Sequence, residues 1–202
     1  AFIEPLACVL RGQRLVNLQP GNSVFILGCG IAGLLHLVVA RATGAGRIIA
    51  ADIVEYRRKA AHRFGADAVL EADRYSPQQL KDANRGRLAD VVIVCTGATS
   101  AINKAMQSVD RGGTILLFAP TAPGVNVPIS INDLFWRNEV TVTTSYAGSP
   151  ADYAAALDLV STHVMPLGDM ITHRLGMSEA GLGFQLVAKA EDSIKVIIEP
   201  GR

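Results

Sequence analysis

Aromatic residues make up only 5% of this 202-residue sequence and charged residues only 18%, and the formal net charge is +1. No basic block occurs, so neither the electrostatic footprint nor the stacking surface of a nucleic-acid binder is present, and no polybasic face suits an anionic membrane. The longest apolar stretches, such as 34–40, are interrupted by His36 and end at Arg41. They fall far short of the roughly 20 residues that a bilayer-spanning helix requires. The three cysteines, Cys8, Cys29 and Cys95, lie too far apart for any Cys-x-x-Cys spacing. That excludes a self-contained zinc lobe and suggests a reducing, cytoplasmic compartment. His36, His62, His163 and His173 are equally scattered, with no His or Cys partner at a ligand spacing, and read as core or surface histidines. A Gly-x-Ser-x-Gly elbow and a Walker loop are both missing. The opening Ala-Phe-Ile-Glu-Pro-Leu-Ala has neither an initiator Met nor the regions of a signal peptide, and reads as the interior of a longer protein.

Half of the residues are hydrophobic, enough for one large domain or a domain with a remnant. The informative stretch is 23–52. Val24 to Leu27 is a short continuous apolar run, as expected of a strand covered on both faces, and it leads directly into Gly28-Cys29-Gly30-Ile31-Ala32-Gly33. In a strand–turn–helix, Gly28 allows the tight turn, Gly30 lets a pyrophosphate approach the backbone, and Gly33 lets the helix pack close to the strand. The helix amino end then faces an anion. A second apolar run from Arg47 ends in Asp52, 19 residues beyond Gly33, where the dinucleotide fingerprint places an acid for the ribose hydroxyls.

The remaining pattern predicts a first helix after Glu4 with Pro5 at its first position, ending near Gly12. It then predicts helices over 31–43, 54–64, 77–84 and 100–109, and strands over 68–70, 90–94, 114–118 and 140–145. Residues 119–132 read as a proline-bearing loop, and Ser149-Pro150 opens a further helix. Strands alternating with single helices indicate an α/β fold with a doubly wound parallel sheet, the Rossmann arrangement. After Val164 the alternation ends: 171–175 and 195–198 read as strands around a helix over 178–189. The strand 195–198 has no sheet partner in the dinucleotide core.

Taken together, Ile3-Glu4-Pro5-Leu6-Ala7, the 28–33 fingerprint, Asp52 with Arg57, Cys95-Thr96-Gly97, Arg111-Gly112-Gly113 and the closing Lys195-Val196-Ile197-Ile198 resemble the C-terminal portion of the zinc-containing medium-chain alcohol dehydrogenases, on the side of the sorbitol and threonine enzymes. The resemblance implies a linking helix from the substrate domain (1–16), a dinucleotide-binding domain (17–148) and a return segment (149–202). Remnants of a substrate domain would thus lie at both ends. It implies cofactor contacts at Gly28, Gly30, Ile31, Ala32, Gly33, Asp52 and Arg57, at Thr96 and Gly97, and on the nicotinamide side at Phe118, Ala119, Pro120, Ser145 and Tyr146. NAD is implied over NADP, because Asp52 would repel a 2′-phosphate. Arg58 and Lys59 weigh slightly the other way, although basic residues on a helix are usually a solvated face. Glu4 matches a family glutamate near the catalytic zinc, or else is a helix-start carboxylate favoured by the dipole. The main zinc ligands of the full-length protein are absent here.

The implied chemistry is hydride transfer between a small alcohol or carbonyl substrate and the nicotinamide, in a full-length homodimer or homotetramer, with neither nucleic acid nor membrane as partner. The alternatives are a nucleotide-binding or assembly module without catalysis and a zinc-independent quinone reductase relative.

Overall fold

The computed structural model describes residues 1–201. Strands β1 (Ser23–Leu27), β2 (Arg47–Asp52), β3 (Ala68–Glu71), β4 (Ala89–Val94), β5 (Val109–Leu117) and β6 (Thr141–Thr144) form one parallel sheet in the order β3-β2-β1-β4-β5-β6. Between them run α2 (Ile31–Ala42), α3 (Glu55–Arg63), α4 (Pro77–Ala83) and α5 (Thr99–Met106), preceded by α1 (Ile3–Leu15) and followed by α6 (Pro150–Ser161).

Alternation within the strands explains why helices cover both faces. Val24, Ile26, Ile48, Ala50, Val91 and Ile93 join one core layer, with α1, α2 and part of α3 and α6. Phe25, Leu27, Ile49, Ala51, Val92 and Val94 point the other way and pack with α4 and α5. All five residues of β1 are buried, and each large aliphatic side chain removed from water this way contributes about 1.5–3 kcal/mol. The sequence shows this as an unbroken apolar run rather than a polar–apolar alternation.

Several boundaries differ from those the sequence predicts. Helix α1 begins at Ile3, so Pro5 is its third residue, still within the first turn, where an amide has no intrahelical partner. It also continues past Gly12, because a side chain there would press on Leu116, His36 and Phe118. Gly112 and Gly113 do not separate a helix from a strand. β5 starts at Val109 and runs through them, with a register shift against β4 between Ala89 and Val91. Gly112 takes φ +69, and a Cβ on Gly113 would lie 2.8 Å from the Asp90 carbonyl oxygen. The 119–132 loop gives way to a short π-helix, Ile131–Trp136, capped by Ser130, whose hydroxyl accepts from the Asp133 amide.

The strand without a partner in the main sheet finds one nearby. β8 (Lys195–Glu199) pairs in parallel with β7 (Ile171–Gly176) as a separate two-stranded sheet. Helix α7 (Ala180–Lys189) lies across it, with Gly183 against Ile198, Val196 and Leu175. Met170 and Ile194 anchor this unit to the main core. Every residue of β8 is nonetheless only half-buried. Asp152 fastens the other end of the chain: it caps α6 through Ser149 and forms an ion pair with Arg14 of α1.

Two-stranded sheets are marginal alone. Amides of β7 and β8 are therefore expected to exchange faster than those of β1, as read by hydrogen exchange with mass detection. Equally slow exchange in a monomer would show that the small sheet shares the stability of the large one.

His36 gives a second expectation. It is fully buried, Gln13 Nε2 lies 3.3 Å from its Nδ1, and its Nε2 has no partner. Burial lowers its pKa from 6.5 to about 3. Between those values the unfolded chain binds the extra proton. Stability is thus fully present above the unfolded pKa and falls as the pH drops toward the folded one, with a slope approaching about 1.4 kcal/mol per pH unit. His36→Leu should shift the acid-unfolding midpoint, followed by circular dichroism, to lower pH. An unchanged midpoint would assign acid sensitivity to other groups.

Candidate cofactor site

The sheet order reverses between β1 and β4, and ligands of such sheets sit in the crevice at the carboxyl ends of the strands on either side of that point. The segments emerging there are those singled out in the sequence. Residues 28–33 leave β1, Asp52 ends β2, Thr96 and Gly97 follow β4, Phe118 to Pro120 follow β5, and Ser145 and Tyr146 follow β6. The fold thus brings fourteen predicted cofactor residues to one edge, Arg57 entering from the first turn of α3. Glu4 stands apart from them on α1. It is exposed, and its carboxylate accepts a weak bond from the Cys8 thiol at 3.3 Å.

Close backbone approach, more than flexibility, explains the glycines. Gly28 has φ +97 and its missing side chain faces the Cys95 carbonyl at 3.1 Å. A Cβ on Gly33 would fall far inside the van der Waals contact distance to the Gly28 carbonyl oxygen, so only glycine lets α2 start directly against the turn. Gly97 is similarly pressed against the Pro120 carbonyl, which joins the loops after β4 and β5. Gly30 differs. A Cβ there would find only the Arg57 guanidinium, 3.8–3.9 Å away, so the space above it is open. Arg57 Nε is buried and has no partner.

Asp52 is 5% exposed, and each of its carboxylate oxygens accepts one backbone N–H. Cys29 donates to one at 2.7 Å and Val54 to the other at 2.8 Å. Each oxygen retains accepting capacity for a further donor, since an ionised carboxylate offers about four lone-pair sites. Arg58 is not a solvated face residue. It donates to the carbonyls of Asp52 and Ile53 at 3.0 and 2.7 Å, whereas Lys59 pairs with Glu55 at the surface.

Burial pushes the Cys29 and Cys95 thiols well above the usual range, Asp52 adding to the effect at Cys29, so neither presents a thiolate at neutral pH. On the far side of the edge, Phe118 is half-buried, edge-on to His36 at 4.5 Å. Ser145 carries a buried hydroxyl without a partner, and Tyr146 is 93% exposed. Sequence reasoning missed Ile53, which stands 67% exposed directly after Asp52. An apolar residue between a strand-end acid and the next helix is its only signal.

Gly33→Ala should destabilise the protein by about 3 kcal/mol in urea unfolding, because the clash involves backbone on both sides. A loss within about 0.5 kcal/mol, the range of ordinary surface substitutions, would show that α2 can move off the turn.

Comparison with known proteins bears on the family and the fold. The model of the family described as zinc-binding dehydrogenase matches residues 32–162. A protein named probable D-xylulose reductase A from Aspergillus clavatus is 34% identical over 98% of this chain and 56% of its own length. An erythritol/L-threitol dehydrogenase from Mycolicibacterium smegmatis is 30% identical over 99% of this chain and 55% of its own. Among solved structures, a zinc-binding dehydrogenase family chain from Sinorhizobium meliloti, bound to NADP, superposes with a TM-score of 0.88 at 28% identity, covering 98% of this chain and 58% of that one. The chain therefore spans just over half the length of these relatives, and it belongs to the zinc-dependent medium-chain alcohol dehydrogenase family.

Proposed function

We propose that this chain is the NAD-binding portion of an alcohol or polyol dehydrogenase, which passes hydride between a small alcohol or carbonyl substrate and the nicotinamide. The observation that carries the reading is the opening above Gly30, where a buried Arg57 Nε lacks a partner beside a glycine turn that ends at a helix amino terminus. A pyrophosphate suits that set of donors. Asp52 would accept the adenosine ribose hydroxyls, and Ile53 offers an apolar surface for the base. Thr96 and Gly97 would flank the cofactor, and the Phe118 to Pro120 and Ser145 to Tyr146 segments would border its nicotinamide end. Bound NAD would supply the hydride acceptor. The protein's part is to hold and orient it.

The NADP of the Sinorhizobium relative raises the question of the 2′-phosphate. Two features favour NAD here. The Asp52 carboxylate lies where that phosphate would come, and the Arg58 guanidinium is committed to the carbonyls of Asp52 and Ile53.

An erythritol/L-threitol dehydrogenase among the relatives supports polyols as substrates. Three free thiols fit a cytoplasmic setting, and the family resemblance carries the homo-oligomer of the full-length protein. Zinc is a separate matter. Among the described residues no group of three His, Cys, Asp or Glu side chains is placed to hold a metal ion. Glu4 alone would contribute an oxygen to a site completed by other residues.

Fluorescence titration of this chain should show tighter binding of NADH than NADPH, and equal affinities would overturn the NAD assignment. Gly30→Ala should weaken NADH at least tenfold while urea stability changes by less than about 1 kcal/mol, the size of an ordinary helix-cap effect. Unchanged affinity would mean that the pyrophosphate does not lie over Gly30.

A further inference from the structure

At the opposite edge of the sheet, around the amino ends of β1, β2 and β4, lies a cleft of ≈ 120 Å³. That is well below the roughly 300 Å³ at which pockets begin to hold drug-sized ligands, and suits a compact ion. Its polar lining comes from Ser23, Arg47, Asn84, Arg85, Arg87 and Asp90, with Gly21 and Gly46 completing it. Arg47 opens β2, Arg85 sits in the turn after α4, and Arg87 follows just before β4, so three arginines from different segments line one small volume.

The charges do not cancel within the cleft. Asp90 is the only carboxylate in its lining, and its oxygens are already used. One accepts from the Ser23 amide at 2.8 Å and hydroxyl at 2.7 Å, and the other accepts from Arg87 at 2.9 Å. Arg87 is further engaged by Asp110 at 3.2 Å. Nearby Asp67 is held by Arg41 and by the Ile48 amide, and the Arg47 charge also lowers its pKa. Arg47 spends its Nε on the Ala83 carbonyl, which fixes the direction of its remaining donors. Within the lining itself three arginines face one carboxylate, so positive charge is in excess around a polar hollow. Arg85 also holds φ +56, a conformation that favours glycine, next to Gly86 at φ +83. A long cationic side chain therefore occupies a place that the backbone would give more cheaply to another residue.

We propose that this cleft is a second anion site, remote from the dinucleotide edge, which takes a phosphate group, either free or on a small monoester. Planar guanidinium forks approaching from different elements suit a tetrahedral oxyanion, which presents acceptors in several directions, better than a carboxylate, which one fork satisfies. The site does not rest on the dinucleotide reading, since its residues stand at the amino ends of the strands whose carboxyl ends form that edge.

The test is amide NMR of the whole chain titrated with inorganic phosphate, with glycerol 3-phosphate and with acetate, at ionic strength held constant with chloride. Amides of Gly21, Gly46 and 84–87 should shift and saturate with either phosphate, the tighter of the two naming the source, and amides 28–33 report separately on the glycine turn. Arg85→Gly should weaken phosphate at this site at least tenfold while leaving the melting temperature equal or higher, because glycine relieves the backbone. Absence of saturable shifts at the amino edge in the unmutated protein would overturn the proposal. So would saturation by acetate at the same concentrations, or an Arg85→Gly variant that melts lower and binds phosphate unchanged.

Discussion

The pair of hydrogen bonds that Asp52 accepts is the constraint on which the cofactor edge depends. One carboxylate oxygen takes the amide of Cys29, from the turn after β1, and the other takes the amide of Val54, just before α3. Two neighbouring strands are thereby locked at their carboxyl ends. The Gly28 amide reinforces the lock by donating to the Ala51 carbonyl. Because Asp52 is nearly buried, losing these bonds would leave two amides to be satisfied elsewhere. The same side chain thus fixes the shape of the turn and presents acceptors to whatever lies above it.

Around that lock, electrostatics is arranged by commitment rather than by number of charges. Arg58 is tied to strand-end carbonyls and Lys59 to Glu55, whereas Arg57, on the same short helix, reaches the glycine turn with a donor to spare. Three basic residues in a row therefore have three different fates. The surface pair contributes little to stability. The half-buried Arg57 and Arg58 bear on where an anion can be placed.

Much of this was legible in the sequence because the relevant signals are local. The apolar run of β1, the glycine spacing and the acid at the end of β2 each reflect contacts within one β-α-β unit, and the structure places them together. The parts that were not legible depend on distant neighbours. Gly112 and Gly113 read as a helix stop, yet they lie inside β5, Gly112 for its positive φ and Gly113 because the Asp90 carbonyl of β4 leaves no room for a side chain. Strands 171–175 and 195–198 were both legible, but their pairing with each other was not fixed by the sequence, because a partner 24 residues away leaves no local signal. His36 gives no sign in the sequence that Gln13, 23 residues earlier, would share its buried pocket. Arg58 looks like a solvated residue until the carbonyls of Asp52 and Ile53 are seen in front of it.

The pairing of β1 with β4 has a consequence for the order in which the chain assembles. The unit from β1 to β3 closes through neighbouring segments, but β4 must return past that whole unit to lie beside β1, a separation of 67 residues at the Ser23–Asp90 contact. Loop-closure entropy makes such an encounter slower than the local ones. Thr96 and Gly97 ride on β4, so the glycine turn and its acid can exist before the opposite wall of the crevice does. A half-folded chain would hold the glycine turn and its acid without the opposite wall of the proposed cofactor crevice. Competence to retain the whole cofactor would arrive only with the longest closure in the sheet.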